Sequence, residues 1–111
     1  MTQEITKDNR YSHGKIYKLI DNTTGMFYIG STAMKRIDHR LRCHILSTKI
    51  HTTRKVYQYF TTEKLQSEDI KIICLDEIIV QNKRELEKIE NEYIQRELKN
   101  VLCLNTIKSF T

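Results

Sequence analysis

Two β-forming runs, KIYKLI at 15–20 and MFYIG at 26–30, flank Asp21-Asn22-Thr23-Thr24-Gly25, an unbroken stretch of turn formers. This pattern predicts a β-hairpin with a loop of about five residues. Side chains alternate along a strand, so the hairpin register decides whether Tyr17 and Tyr28 meet. An even loop of four or six residues puts them on one face, and an odd loop separates them.

The rest of the chain must supply what covers the hairpin. Ile37, Leu41 and Ile45 recur every fourth residue, which predicts a helix within 34–46, with Ser31 and Thr32 able to cap it. A second short helix is expected over about 53–60, with Val56, Tyr59 and Phe60 on one side. Residues 61–69 are polar and read as a connection. Ile70-Lys71-Ile72-Ile73-Cys74-Leu75 is a clear strand that could extend to Val80. A long helix follows over about 83–98, its inward stripe marked by Leu86, Ile89, Tyr93 and Ile94. The segment 101–107 is apolar enough to pack. The order β-β-α-α-β-α indicates an α+β domain, a small three-stranded antiparallel sheet flanked by helices. Residues 1–13 read as a polar tail and 14–111 as one domain.

Composition narrows the class. With 111 residues, 39% hydrophobic and 30% charged, the chain can bury a modest core and is not of disordered type. No apolar run approaches membrane-spanning length, and the first ten residues carry no secretory pattern. Cys43, Cys74 and Cys103 are widely spaced and odd in number, as expected of reduced thiols in an intracellular protein. Positive charge is concentrated. Residues 35–55 hold Lys35, Arg36, Arg40, Arg42, Lys49, Arg54 and Lys55 against Asp38 alone, a net +6 within a chain of +5. His39, His44 and His51 fall in the same window. A basic cluster on a neutral body points to a polyanionic partner, nucleic acid first.

Several residues have the chemistry to act on such a partner. Glu90 lies four residues after Leu86 and three before Tyr93, so it shares the inward stripe of its helix. A carboxylate there must be paired, protonated, metal-bound or at the edge of the stripe reaching water. Arg40 and His44 are one helical turn apart. A guanidinium in that place can hold a phosphate and stabilise charge as it builds. Arg36 and Arg40 make a similar pair, so spacing does not choose between them.

In order along the chain, Gly14-Lys15-Ile16-Tyr17, Tyr28-Ile29-Gly30-Ser31, Arg40 with His44, and Glu90 before Tyr93-Ile94 resemble the GIY-YIG nuclease domain over about 14–107. The first motif reads KIY here. Ser31 after YIG resembles the homing-endonuclease branch more than the excision-repair branch. The resemblance implies a DNA endonuclease. Tyr17 would deprotonate the attacking water, Tyr28 would support water or phosphate, and Arg40 would stabilise the phosphorane-like charge. Arg36 competes for that last role, because the interval from Tyr28 to Arg40 is slightly long. Glu90 would hold one divalent cation, Mg²⁺ or Mn²⁺, and His44 and Asn105 would orient the site. His51 matches a further histidine of the family. With Lys35, Arg36, Arg40, Arg42, Lys49, Arg54 and Lys55 it would line the path of duplex or branched DNA. RNA satisfies the same electrostatics. An inactive nucleic-acid-binding module of the same fold is the alternative.

Overall fold

A computed structural model describes residues 10–105. The hairpin forms from β1 (Gly14–Asp21) and β2 (Phe27–Thr32). Its register pairs Tyr17 with Gly30 and Leu19 with Tyr28. Six residues separate the last pair, Ile20 and Phe27, so the loop is even and both tyrosines share a face. Gly25 closes the turn at φ 84°, left-handed backbone that a residue with a Cβ seldom adopts.

Helix α1 (Ile37–Ser47) and the short helices α2 (Lys55–Tyr59) and α3 (Thr62–Leu65) follow. Strand β3 (Ile70–Ile78) then pairs antiparallel with β1, placing β1 at the centre in the order β2-β1-β3. Helix α4 (Lys83–Glu97) completes the fold. The expected α+β architecture and three-stranded antiparallel sheet are therefore present. Both faces of the sheet are covered, because β1 alternates its side chains between two cores. Tyr17 and Leu19 pack with Val56, Tyr57, Phe60 and Leu65 from the short helices. Ile16 packs on the other face with Phe27, Ile29, and Leu86 and Ile94 of α4.

Four local expectations need correction. Ser31 and Thr32 belong to β2 and do not cap α1. Arg36 occupies the N-cap without a side-chain cap bond, and Thr32 instead accepts from the Met34 amide at 3.1 Å. The polar stretch 61–69 contains α3, because Thr61 caps it and Leu65 provides a buried anchor. In α2 and at its C-cap the buried set is Val56, Tyr57 and Phe60. Tyr59 is only partly buried and donates to Asp21 at 2.7 Å. The third strand stops at Ile78, while Val80 is buried beyond it.

Arg10–His13, the end of the expected polar tail, forms a 3₁₀ turn, and residues 1–9 lie outside the described residues. The C-terminal segment packs along β2 as far as it is described. The Phe27 amide donates to Leu102 O at 2.9 Å, and the Leu104 amide donates to Phe27 O at 2.8 Å. Thr106 and Ile107 of the expected packed segment are outside the described residues. Among the described residues no helix is long and apolar enough to cross a membrane, and the three cysteines are free thiols.

Candidate active site

The site forms where the end of β2 emerges between α1 and α4. A cleft of about 550 Å³ opens there, lined among others by Tyr17, Tyr28, Ser31, Arg40, Arg54 and Glu90. Each arrives for a local reason. Tyr17 and Tyr28 come from the even hairpin register. Arg40 and His44 come from one face of α1, and Glu90 from the inward stripe of α4.

Gly30 makes room for Tyr17. The phenol lies across its strand neighbour, and a Cβ at position 30 would stand 2.5 Å from Tyr17 Cζ. Tyr17 is fully buried, and its oxygen accepts from Arg40 Nε at 3.1 Å and lies 2.6 Å from His44 Nε2. Burial pushes its pKa well above the ordinary phenol range, with the Arg40 charge pulling the other way. Burial also raises the Tyr28 pKa, and the nearby Glu90 carboxylate adds to the rise. For Arg40, burial opposes its charge, but the phenols of Tyr17, Tyr57 and Tyr28 more than offset it and the guanidinium stays cationic.

His44 is buried and hydrogen-bonded at both nitrogens, the second being Nδ1 with Tyr57 Oη at 2.8 Å. Its pKa is pulled down to about 3 by burial first, then by the charges of Arg40 and Arg54, so the ring is neutral. Glu90 accepts a short hydrogen bond from Ser31 Oγ at Oε1. Burial raises its pKa, the Ser31 bond opposes that rise, and Glu87 adds to it. Its Oε2 has no hydrogen-bond partner among the described residues.

The two candidate arginines separate clearly. Arg40 enters the cleft, whereas Arg36 is exposed and forms an ion pair with Asp38 at 2.9 Å. Asn105 is buried behind β2. Its Oδ1 accepts from the Ile29 amide at 2.8 Å and its Nδ2 donates to Ile29 O at 2.7 Å, so it braces the strand and does not line the cleft. Lys15, which stands where the first motif has glycine, points away. Its ammonium donates to the carbonyls of His13 and Met34 and lies 3.4 Å from Glu77. Lys35, Arg36, Arg42, Lys49, His51, Arg54 and Lys55 are all exposed, and of these Arg54 reaches the cleft.

Sequence reasoning missed Ser31, Tyr57, Lys83 and Glu87 at or beside the site. Glu87 lies three residues before Glu90, and helical spacing alone could have flagged it. Tyr57 carried no such signal, because the aromatic Tyr59 nearby fits the same short stripe.

The three-stranded antiparallel sheet and its helices agree with the fold that the resemblance implied. The GIY-YIG catalytic domain family matches residues 13–102, and the chain belongs to that family. No curated protein and no solved structure matched the chain. Membership makes it a member of a nuclease family, with nucleic acid as the substrate class.

Proposed function

We propose that the chain is a metal-dependent DNA endonuclease that hydrolyses a phosphodiester with water activated at Tyr17. The observation that carries this reading is that the Tyr17 phenol, the Arg40 guanidinium and the Glu90 carboxylate line one open cleft. Arg40 is placed to donate to a non-bridging phosphate oxygen and to hold the negative charge that grows there. Arg54 and Lys83, on the walls of the same cleft, suit the flanking phosphates, and the exposed basic window continues the path.

Glu90 fits a hard cation. It is a half-buried carboxylate with no hydrogen bond at Oε2 among the described residues, and its neighbours Ser31, Tyr17 and Tyr28 offer only oxygen. A single carboxylate suits one Mg²⁺ or Mn²⁺ completed by water and phosphate oxygens. When bound, such an ion supplies Lewis acidity at the phosphate and a field favouring phenolate. Tyr17, its own proton given up to solvent in the cleft, would accept a proton of the attacking water as phenolate. The water oxygen bonds to phosphorus, the opposite P–O bond breaks, and the departing alkoxide takes up a proton from solvent. Tyr28 narrows the cleft beside the attack site. Asn105 acts at one remove, by holding β2 and so the position of Tyr28.

Nicking of supercoiled plasmid tests the reading. We expect cleavage with Mg²⁺ or Mn²⁺, and its loss in Tyr17→Phe and Glu90→Ala. Full activity in both variants would refute it. Salt-dependent binding without cleavage under either ion would leave a nucleic-acid-binding module, and preferential cleavage of RNA would change the substrate.

A further inference from the structure

The mechanism above leaves one buried group unused. Tyr57 of α2 contributes nothing to the cleft surface, yet its hydroxyl lies 2.8 Å from His44 Nδ1. The other nitrogen of that ring lies 2.6 Å from Tyr17 Oη. The chain Tyr57–His44–Tyr17 therefore runs from the helical core to the proposed base. Its direction follows from counting protons.

A neutral imidazole donates at one nitrogen and accepts at the other. Suppose Tyr17 donated to Nε2. Then Nδ1–H would donate to Tyr57, and the Tyr57 proton, buried in the core, would have no acceptor among the described residues. An unmet buried donor is costly. In the opposite direction Tyr57 donates to Nδ1, Nε2–H donates to Tyr17, and the one proton left over is that of Tyr17, which lines the cleft where Tyr57 does not. Arg40 Nε cannot accept, so its bond to Tyr17 is a donation in either case.

We propose that Tyr57 is a positioning residue that holds His44 in the Nε2–H tautomer, so that His44 is a donor to Tyr17 and not the acceptor of its proton. This inference rests on the reading of Tyr17 as the base. Two donors, from Arg40 and His44, then already sit on the oxygen of Tyr17, a residue that lines the cleft. When Tyr17 loses its proton, both donors are in place for the phenolate, and no buried group has to turn. The ring is also hard to reorient. Tyr17, Tyr28 and Tyr57 surround it edge-on, at centroid distances of 5.7, 6.0 and 5.8 Å.

Nitrogen-15 NMR of the protein alone, with ring signals correlated to carbon-bound protons, tests this. The spectrum of His44→Gln identifies the His44 peaks among the four histidines. The expected wild-type result is a protonated Nε2 and an accepting Nδ1. In Tyr57→Phe the Nδ1 signal should move toward that of an unbonded nitrogen. The same variant should nick plasmid with kcat about tenfold to a hundredfold lower at unchanged KM. A protonated Nδ1 in wild type overturns the proposal. So does an unaltered His44 spectrum in Tyr57→Phe, or an altered one with wild-type kcat. The wild-type spectrum decides the direction of the chain even if that variant does not fold. A wild-type protein with the expected tautomer that cleaves no nucleic acid would uphold the hydrogen-bond chain and overturn the nuclease reading.

Discussion

Gly30→Ala adds a single methyl group at the tightest point of the site. Its Cβ would stand 2.5 Å from Tyr17 Cζ, where ordinary contact begins at 3.4 Å, so about 1 Å must be recovered. Tyr17 cannot supply it freely. It is fully buried, and its oxygen is tied to His44 at 2.6 Å and Arg40 at 3.1 Å. Overpacking of this kind costs about 1–3 kcal/mol. Each kcal/mol lowers Tm by about 4–8 °C in a domain of nearly this size. A displacement of about 1 Å at a catalytic group costs about 10²-fold in rate. Thermal unfolding followed by circular dichroism measures the first effect, and plasmid nicking well below the variant's Tm measures the second. Tyr17→Ala removes the ring, so in that background Gly30→Ala should cost no further stability. A Gly30→Ala protein with wild-type Tm and wild-type nicking would refute the argument that the phenol occupies the space of a side chain at position 30.

Glu90→Gln should abolish cleavage and yet raise stability at neutral pH by about 0.5–2 kcal/mol, as expected where a site is built against stability. The folded carboxyl has a raised pKa, chiefly from burial, so its contribution is present in acid and lost as pH rises through the folded value. The Tm difference between the two proteins should therefore shrink on acidification. His44 has the opposite sign. Its folded pKa is about 3 against 6.5 unfolded, so stability is lost as pH falls below 6.5, by at most about 1.4 kcal/mol per pH unit. Denaturant titrations of wild type and His44→Gln from pH 7 to 4 should show the shallower slope in the variant. Arg40→Ala should reduce nicking about 10²- to 10³-fold. Arg36→Ala, at an exposed pair with Asp38, should leave kcat unchanged, and equal losses in both would count against the assignment of Arg40.

The hairpin, the third strand and the long helix were legible because alternation, turn chemistry and the 3.6-residue period are local properties. The pairing of Tyr17 with Tyr28 was legible only up to parity, since register is fixed by the loop and by the cores on both faces. Helix α3 was missed because a four-residue helix has no period to detect, and the signals for it are a Thr cap and one buried Leu. Tyr57 stayed hidden for a different reason. In a five-residue helix, Tyr57 and Tyr59 are both plausible members of the buried stripe, and the choice between them is made by His44, thirteen residues earlier. The two arginines were indistinguishable by spacing, and they were separated by an acid beside one and a phenol across the fold from the other.

The amide of Asn105 bonds Ile29 through both its donor and its acceptor, as the main chain of a neighbouring strand would. Together with the bonds that join Phe27 to Leu102 and Leu104, it covers the outer side of β2 at Phe27 and Ile29. The outer side of β3 has no such cover among the described residues, and it carries the exposed Ile73 and Leu75. Unpaired strand edges recruit other chains. A second copy added along β3 would therefore leave each copy's β2 on the outside of the joined sheet, where Asn105 and residues 102–104 already hold the main chain of Phe27 and Ile29.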